Sequence, residues 1–225
     1  MGDIAILLAR LDSKRFPNKH FQKIGKKYVI DHCTDRLLKG KNYQIVLATS
    51  DRDIDNPLEA WAKDRGIGLF RGDASDIRKR IADCVAEFEA PMFARVNADS
   101  PFVDAELLDD GFKKMRESDI DLYTNLLHRS YPYGYSVEIF RSETFVRTLL
   151  DNPELEDVST YFYKNAAKFK IMNKQLNNMD LSKIRLTVDT PDDLEYLRHL
   201  YAKSESLFSL LLHDILELLK TEKTS

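Results

Sequence analysis

Arg10, Ser13, Lys14, Arg15 and Lys19 crowd one short polar stretch that follows the apolar run Ile4-Ala5-Ile6-Leu7-Leu8. Four cations and a hydroxyl suit an anionic ligand, and a polyphosphate best of all. The same composition also suits a solvated basic turn, and charge alone does not separate the two. The stretch has neither Gly-x-x-x-x-Gly-Lys-Ser/Thr nor Gly-x-Gly-x-x-Gly. Phosphates bound here must therefore be met largely by side chains rather than by a glycine-rich backbone cradle. Two carboxylates complete the set. Asp99, in Arg95-Val-Asn-Ala-Asp-Ser-Pro-Phe-Val-Asp104, follows an apolar run, and so does Asp189, in Arg185-Leu-Thr-Val-Asp-Thr-Pro-Asp-Asp-Leu194. Each has a proline two residues on. Alone, each reads equally as a turn or a helix-start carboxylate. Together they could face one Mg²⁺, which one or two carboxylates hold while phosphate oxygens and water complete the shell. That reading puts them within roughly 8 Å of each other. Asp104 reads as the cap of the next helix.

The elements that must position these groups alternate. Strands are expected at Asp3–Leu8, Gln44–Ala48, Ile67–Phe70 and Pro91–Val96, each a short apolar run bounded by polar residues. Helices are expected at Tyr28–Lys39, Pro57–Arg65, Ser75–Phe88 and Asp104–Glu117. Such alternation implies a mostly parallel sheet with right-handed crossovers. Ligands then bind beyond the carboxyl ends of the strands, where the basic stretch lies. After about Asp119 the pattern changes. Leu122–Thr124 and Val137–Phe140 read as strands, and Glu143–Leu150 and Val158–Asn165 as helices. Between the two strands, Tyr131-Pro-Tyr-Gly-Tyr135 reads as a pocket or interface lining, or as an aromatic turn packed on the sheet. Arg185–Val188 reads as a returning core strand, Pro191–Lys203 as a helix with an acidic first turn, and Ser206–Lys220 as an amphipathic tail.

A chain of 225 residues fits one α/β domain with an added lobe. The 43% hydrophobic content argues against disorder. The net charge of −3 argues against a general nucleic-acid binder. Cys33 and Cys84, the two cysteines, each fall on an apolar helical face and have no zinc spacing, so both read as buried free thiols. No apolar run reaches membrane-spanning length and no signal pattern opens the chain, so a cytoplasmic enzyme is expected.

Arg10, Ser13, Arg15, Pro17 and Lys19 also match the opening signature of the cytidylyltransferases that make CMP-activated sugars, with Asp12 where that family usually has a small residue. Arg95–Asp104 resembles the family's Arg-x-x-x-Asp-x-Pro-x-x-Asp segment and Arg185–Leu194 its closing Asp-Thr-Pro-x-Asp-Leu segment. Ala48–Asp51 resembles its strand end that contacts the nucleotide, and Phe70–Asp73 the segment that precedes its next helix. Tyr131–Phe140 and Asp157–Tyr163 are similar to the spore coat polysaccharide biosynthesis protein F branch. The matches run in order along nearly the whole chain.

The resemblance implies a Rossmann-like nucleotide-diphospho-sugar transferase fold with a small dimerisation lobe at about 125–175 and a helical tail at about 204–225. It implies CTP, Mg²⁺ and an anionic small-molecule acceptor, whose oxygen attacks the α-phosphorus and releases pyrophosphate. Arg10, Arg15 and Lys19 would hold the triphosphate, Ser13 would bond a phosphate, and Asp99 and Asp189 would hold the metal. Ala9, Thr49, Asp51, Arg71, Asn97 and Ala98 would line the nucleotide, and Tyr135 and Glu138 the acceptor. The family's habit of forming homodimers implies a symmetric dimer through Tyr131–Tyr135 and Val137–Phe140, with the leucine-rich tail packed on its own body. No membrane or nucleic-acid partner is expected. Two rivals remain. One is a metal-dependent glycosyltransferase using Asp51-Arg-Asp53 or Asp119-Ile-Asp121; the other is a non-catalytic nucleotide-binding subunit.

Overall fold

The computed structural model describes residues 2–155 and 157–222; the end of the expected 204–225 tail lies outside the described residues. Strand β1 (Ile4–Leu8) is buried along its whole length. Its residues divide by the two-residue period of a strand. Ala5 and Leu7 face one core, and Ile4, Ile6 and Leu8 the other. A small hairpin, β2 (Lys23–Ile24) and β3 (Lys27–Tyr28), leads into α1 (Val29–Leu37). The chain continues through β4 (Gln44–Ser50), α2 (Asn56–Arg65), β5 (Gly68–Gly72), α3 (Ile77–Glu87), β6 (Met92–Asn97) and α4 (Ala105–Glu117). Then follow β7 (Leu122–Thr124), β8 (Glu138–Arg141), α5 (Ser142–Asp151), α6 (Val158–Lys164), β9 (Ile171–Asn173), α7 (Pro191–Lys203) and α8 (Leu212–Glu222).

The main sheet has seven strands in the order β5-β4-β1-β6-β8-β7-β9, and β8 alone runs against the rest. Helices cover both faces, as the alternation implies. Apolar residues of α1, α2 and α4 pack on one side, through Ile30, Cys33, Leu58, Trp61, Leu108 and Phe112. Those of α3, α5 and α6 pack on the other, through Ile81, Cys84, Phe145 and Phe162. The chain moves outward from β1 to β4 and β5, then returns to the other side of β1 at β6. The sheet therefore has its topological switch point between β1 and β6, where open α/β sheets bind ligands.

Three expectations need correction. The strands of the 125–175 region extend the main sheet, because β8 pairs with β6 and β7. Of the expected dimer face, Tyr131, Tyr135, Val137, Ile139 and Phe140 are buried in the chain's own core, while Tyr133 is exposed. Arg185–Val188 is an extended segment outside the sheet. Tyr133 N–H donates to Ile184 O (2.9 Å), Leu186 N–H to Tyr133 O (2.9 Å) and Val188 N–H to Asp99 O (2.9 Å). Leu186 and Val188 bury instead in a third apolar cluster with Ile24, Phe102, Tyr135, Leu194, Leu197, Leu207 and Ile215. The tail joins this cluster, as expected. Buried Arg36 pins it there, donating to Phe208 O (3.0 Å), Leu210 O (3.1 Å) and Val103 O (2.7 Å). Both cysteines are buried free thiols. Among the described residues, no helix is long and apolar enough to cross a membrane.

Candidate active site

The residues between β1 and the hairpin fold into an anchored loop. Leu11 N–H donates to the buried carboxylate of Asp55 (2.7 Å), and Asn18 N–H donates to Leu11 O (2.8 Å). Asn18 takes the left-handed conformation (φ 59°), which asparagine tolerates better than most residues. This turn sends Lys19 inward, and its side chain is only 8% exposed. Leu8 lies opposite Asn97 in the β1–β6 pairing, and Ala98 N–H donates to Leu8 O (3.0 Å). The first loop and the end of β6 therefore meet.

Lys19 Nζ hydrogen-bonds Asp99 Oδ2 and lies 3.4 Å from Asp189 Oδ1. One ammonium thus bridges both carboxylates, which puts them within the span expected for a shared metal. Arg15 Nη2 donates to Asp189 Oδ1 (2.6 Å), and Arg185 Nη2 and Thr187 Oγ1 donate to Oδ2 (3.2 and 3.3 Å). Burial opposes the charge on Asp189, but Lys19 and Arg15 outweigh it and hold the carboxyl below its usual range. His20, beside Lys19, is buried, and burial pulls its pKa down to about 4. It is neutral at physiological pH, in line with a structural role.

A cavity of about 390 Å³ opens behind the pair, lined among others by Arg15, Asn97, Asp99, Glu138 and Asp189. Its floor follows from strand register. Phe93 pairs with Phe140 and Ala94 with Ile139, so the next position sets Arg95 beside Glu138 on one face. Arg95 Nη1 donates to Glu138 Oε2 (2.9 Å), and Tyr163 Oη of α6 donates to Oε1 (2.6 Å). Burial, with Glu138 beside it, pushes the Tyr163 phenol up and keeps it a neutral donor.

The structure separates other expected site residues from this centre. Arg10 donates to Ala74 O and pairs with Asp12 (3.7 Å), on the β5 side of the loop. Asp12 also accepts from Arg52, and that bond holds its carboxyl below the usual range; two guanidiniums thus offset the carboxylate near the basic loop. Arg71 is bound to Ser50 O, Asn56, Glu59 and Arg52 O, so its guanidinium braces the end of β4 against α2. Tyr135 is fully buried, near Phe102 and the Arg36 guanidinium, and does not line the cavity. Thr49 is fully buried, with its hydroxyl unpartnered. Asp51 is exposed at the strand end, its N–H donating to Gly72 O (3.0 Å). Ala9 and Ala98 are buried at the loop base, and Ser13 is half-buried. Asp104 caps α4, accepting from Glu106 and Leu107 N–H. Among the described residues, no cluster of three or more His, Cys, Asp or Glu side chains could hold a metal.

The family model described as cytidylyltransferase matches residues 4–215. The chain belongs to this family. It is a nucleotidyltransferase, as the ordered motifs implied. The spore coat polysaccharide biosynthesis protein SpsF of Bacillus subtilis is 28% identical over 215 residues, covering 91% of this chain and 88% of that one. A 3-deoxy-manno-octulosonate cytidylyltransferase of Flavobacterium johnsoniae is 26% identical over 215 residues, covering 89% and 86%. The solved structure of a cytidylyltransferase from Leptospira borgpetersenii superposes with a TM-score of 0.90 at 28% identity, covering all of this chain and 96% of that one.

Residues of this cytidylyltransferase that sequence reasoning passed over include Arg95, Arg129, Arg185 and Tyr163. The first three line the cavity, and Tyr163 bonds its floor. Arg95 and Arg185 open the two acidic motifs, four residues before Asp99 and Asp189, and that spacing was an available signal. Arg80 was also missed. It is 1% exposed, donates to Asp73 O (3.1 Å) and keeps its Nε without a partner.

Proposed function

We propose that this cytidylyltransferase transfers CMP from CTP to an anionic small-molecule acceptor and releases pyrophosphate, in surface polysaccharide or glycoconjugate synthesis. The observation that carries the reading is the junction of Lys19, Asp99 and Asp189 at the switch point, at the mouth of the cavity. Asp99 and Asp189 suit Mg²⁺, because two carboxylates plus phosphate oxygens and water meet its preferred oxygen shell. A Mg²⁺ held there would polarise the phosphoryl oxygens. Lys19 and Arg15 neutralise the triphosphate and the leaving pyrophosphate, which is most of what phosphoryl transfer asks of a protein besides positioning. Arg10 serves the same chain of phosphates from the β5 side, with Ser13 as a hydroxyl donor. Ala9, Thr49, Asp51, Asn97 and Ala98 shape the nucleotide edge, and Glu138 faces the acceptor. The names of the SpsF and octulosonate relatives support the polysaccharide setting and a sugar-acid type of acceptor. A cytoplasmic location and a homodimer go with this reading.

The glycosyltransferase alternative loses ground because neither Asp-x-Asp pair reaches the cavity. Asp51 and Asp53 are exposed on the far side of the loop. Asp119 pairs with Lys170, and Asp121 accepts from Thr144 Oγ1 (2.8 Å). Pyrophosphate release, screened over the four nucleoside triphosphates with sugar acids and sugar phosphates, tests the proposal. Release confined to CTP plus an anionic acceptor supports it. Hydrolysis of a nucleotide sugar without pyrophosphate formation refutes it.

A further inference from the structure

Another wall of the cavity carries Arg185, which reaches Asp189, and Arg129, for which neither carboxylate of the metal pair is a hydrogen-bond partner. Arg129 lies between β7 and β8, and its guanidinium carbon stands 4.0 Å from the centroid of the Tyr133 ring. The Arg185 guanidinium carbon stands 5.0 Å from the same centroid. Stacking of this kind orients a guanidinium plane while leaving its edge N–H groups free. The mount is fixed by backbone: Tyr133 exchanges hydrogen bonds with Ile184 and Leu186 on either side of Arg185 (2.9 Å each). Arg129 has no carboxylate partner among the described residues, and its Nη1 is buried without a hydrogen bond. A buried donor left without a partner is destabilising, so a ligand that accepts from it is favoured. Arg129, Tyr133 and Arg185 all line the cavity that holds Asp99, Glu138 and Asp189.

We propose that Arg129 and Arg185, mounted on Tyr133, bind an anionic group of the acceptor, a carboxylate or a phosphoryl group, and so set which acceptors enter. The proposal rests on the nucleotidyl-transfer reading only for the word acceptor. The anion site itself stands on the geometry. Arg129 is the decisive residue, since Arg185 also touches Asp189. The neighbouring Glu138 carboxylate, held by Arg95 and Tyr163, repels an anion from that side and so favours the arginine end. A lysine at 129 would keep the charge and lose the planar fork and the stack.

Calorimetric binding to the full chain tests this, with CTP present in saturating amounts so that the basic loop is filled. The probes are gluconate, glucose 1-phosphate and neutral glucose. Gluconate or glucose 1-phosphate should bind at least tenfold more tightly than glucose, and which of the two wins identifies the group. Arg129→Gln should weaken that anion at least tenfold, and Arg129→Lys should not restore it. CTP affinity, measured separately, should stay within twofold in both variants and serves as the folding control. Neither anion surpassing glucose, or unchanged anion binding in Arg129→Gln, overturns the proposal. Failure of the wild type to bind CTP, with anion binding intact and lost in Arg129→Gln, instead overturns the nucleotide reading and leaves the anion site standing.

Discussion

Replacing Lys19 by methionine removes the ammonium that bridges Asp99 and Asp189 and keeps a side chain of similar length. The three side chains are only 8%, 15% and 18% exposed. Removing one member of such a buried pair costs about 3–5 kcal/mol, because the remaining charge stays desolvated. Arg15 and Arg185 still face Asp189, but they are 67% and 47% exposed and solvent screens them. The lower end, about 3 kcal/mol at pH 7, is therefore expected. For a chain of this size that is roughly 6–12 °C in Tm. The pH dependence has a defined sign. In the native protein the Asp189 carboxyl is held below its unfolded value. Its contribution is thus present above the unfolded pKa, about 3.9, and fades as pH falls through the folded one. Without Lys19, burial dominates and the folded pKa of Asp189 rises. The variant then binds the proton that the wild type refuses, so the stability gap narrows on acidification. Urea unfolding at pH 7 and at more acid pH reads this directly, as a gap of about 3 kcal/mol that shrinks on acidification. Mg²⁺ at ten times its Kd should return about 1.4 kcal/mol to the variant in the absence of nucleotide. A gap below about 1 kcal/mol, flat with pH, would refute the idea that Lys19 compensates a buried pair of carboxylates.

Asp99→Asn should lower CTP-dependent pyrophosphate release at least about a hundredfold, since one carboxylate of the pair carries the metal charge, while the fold stays intact at a lower Tm because Lys19 keeps Asp189 as a partner. Full activity would remove Asp99 from the mechanism. Arg36→Met should destabilise the fold by about 3 kcal/mol, because it strips buried donors from the carbonyls of Val103, Phe208 and Leu210; urea unfolding measures it. Deleting residues 206–225 should lower monomer stability, since Leu207, Phe208 and Ile215 are buried against the body. A deletion that dissociates an oligomer in light scattering without lowering that stability would show the tail to be an interface instead.

The layer order and the sheet edge that carries the basic loop were readable because they depend on short-range pattern. Apolar runs of five to seven residues became β1 and β4, and the cap at Asp104 followed from its place before an apolar helical face. Arg185–Val188 shows where that logic stops. Leu186 and Val188 alternate as a strand would, and both are buried, but against α7 and an aromatic cluster rather than in the sheet. Period two reveals an extended segment with one buried face; it does not reveal which backbone it pairs with. Tyr131 and Tyr135 are buried for the same reason, sharing a cluster with this returning segment and the tail.

The basic loop shows a second limit. Composition places four cations together, yet Arg10 and Lys19 point to different sides, separated by the turn that Leu11, Asn18 and Asp55 fix. Direction is a tertiary property there, set by one buried carboxylate 44 residues away. The Arg129 wall is further still from local pattern. It brings residues 129, 133 and 185 together through a backbone bridge outside the sheet, and its signal is the Arg129 Nη1, buried without a hydrogen-bond partner among the described residues. Sequence counts charges of both signs, 34 against 37 here, and cannot say which cation folding leaves unpaired. A half-buried guanidinium whose Nη1 finds no hydrogen-bond partner among the described residues is what sets Arg129 apart from a solvated surface arginine.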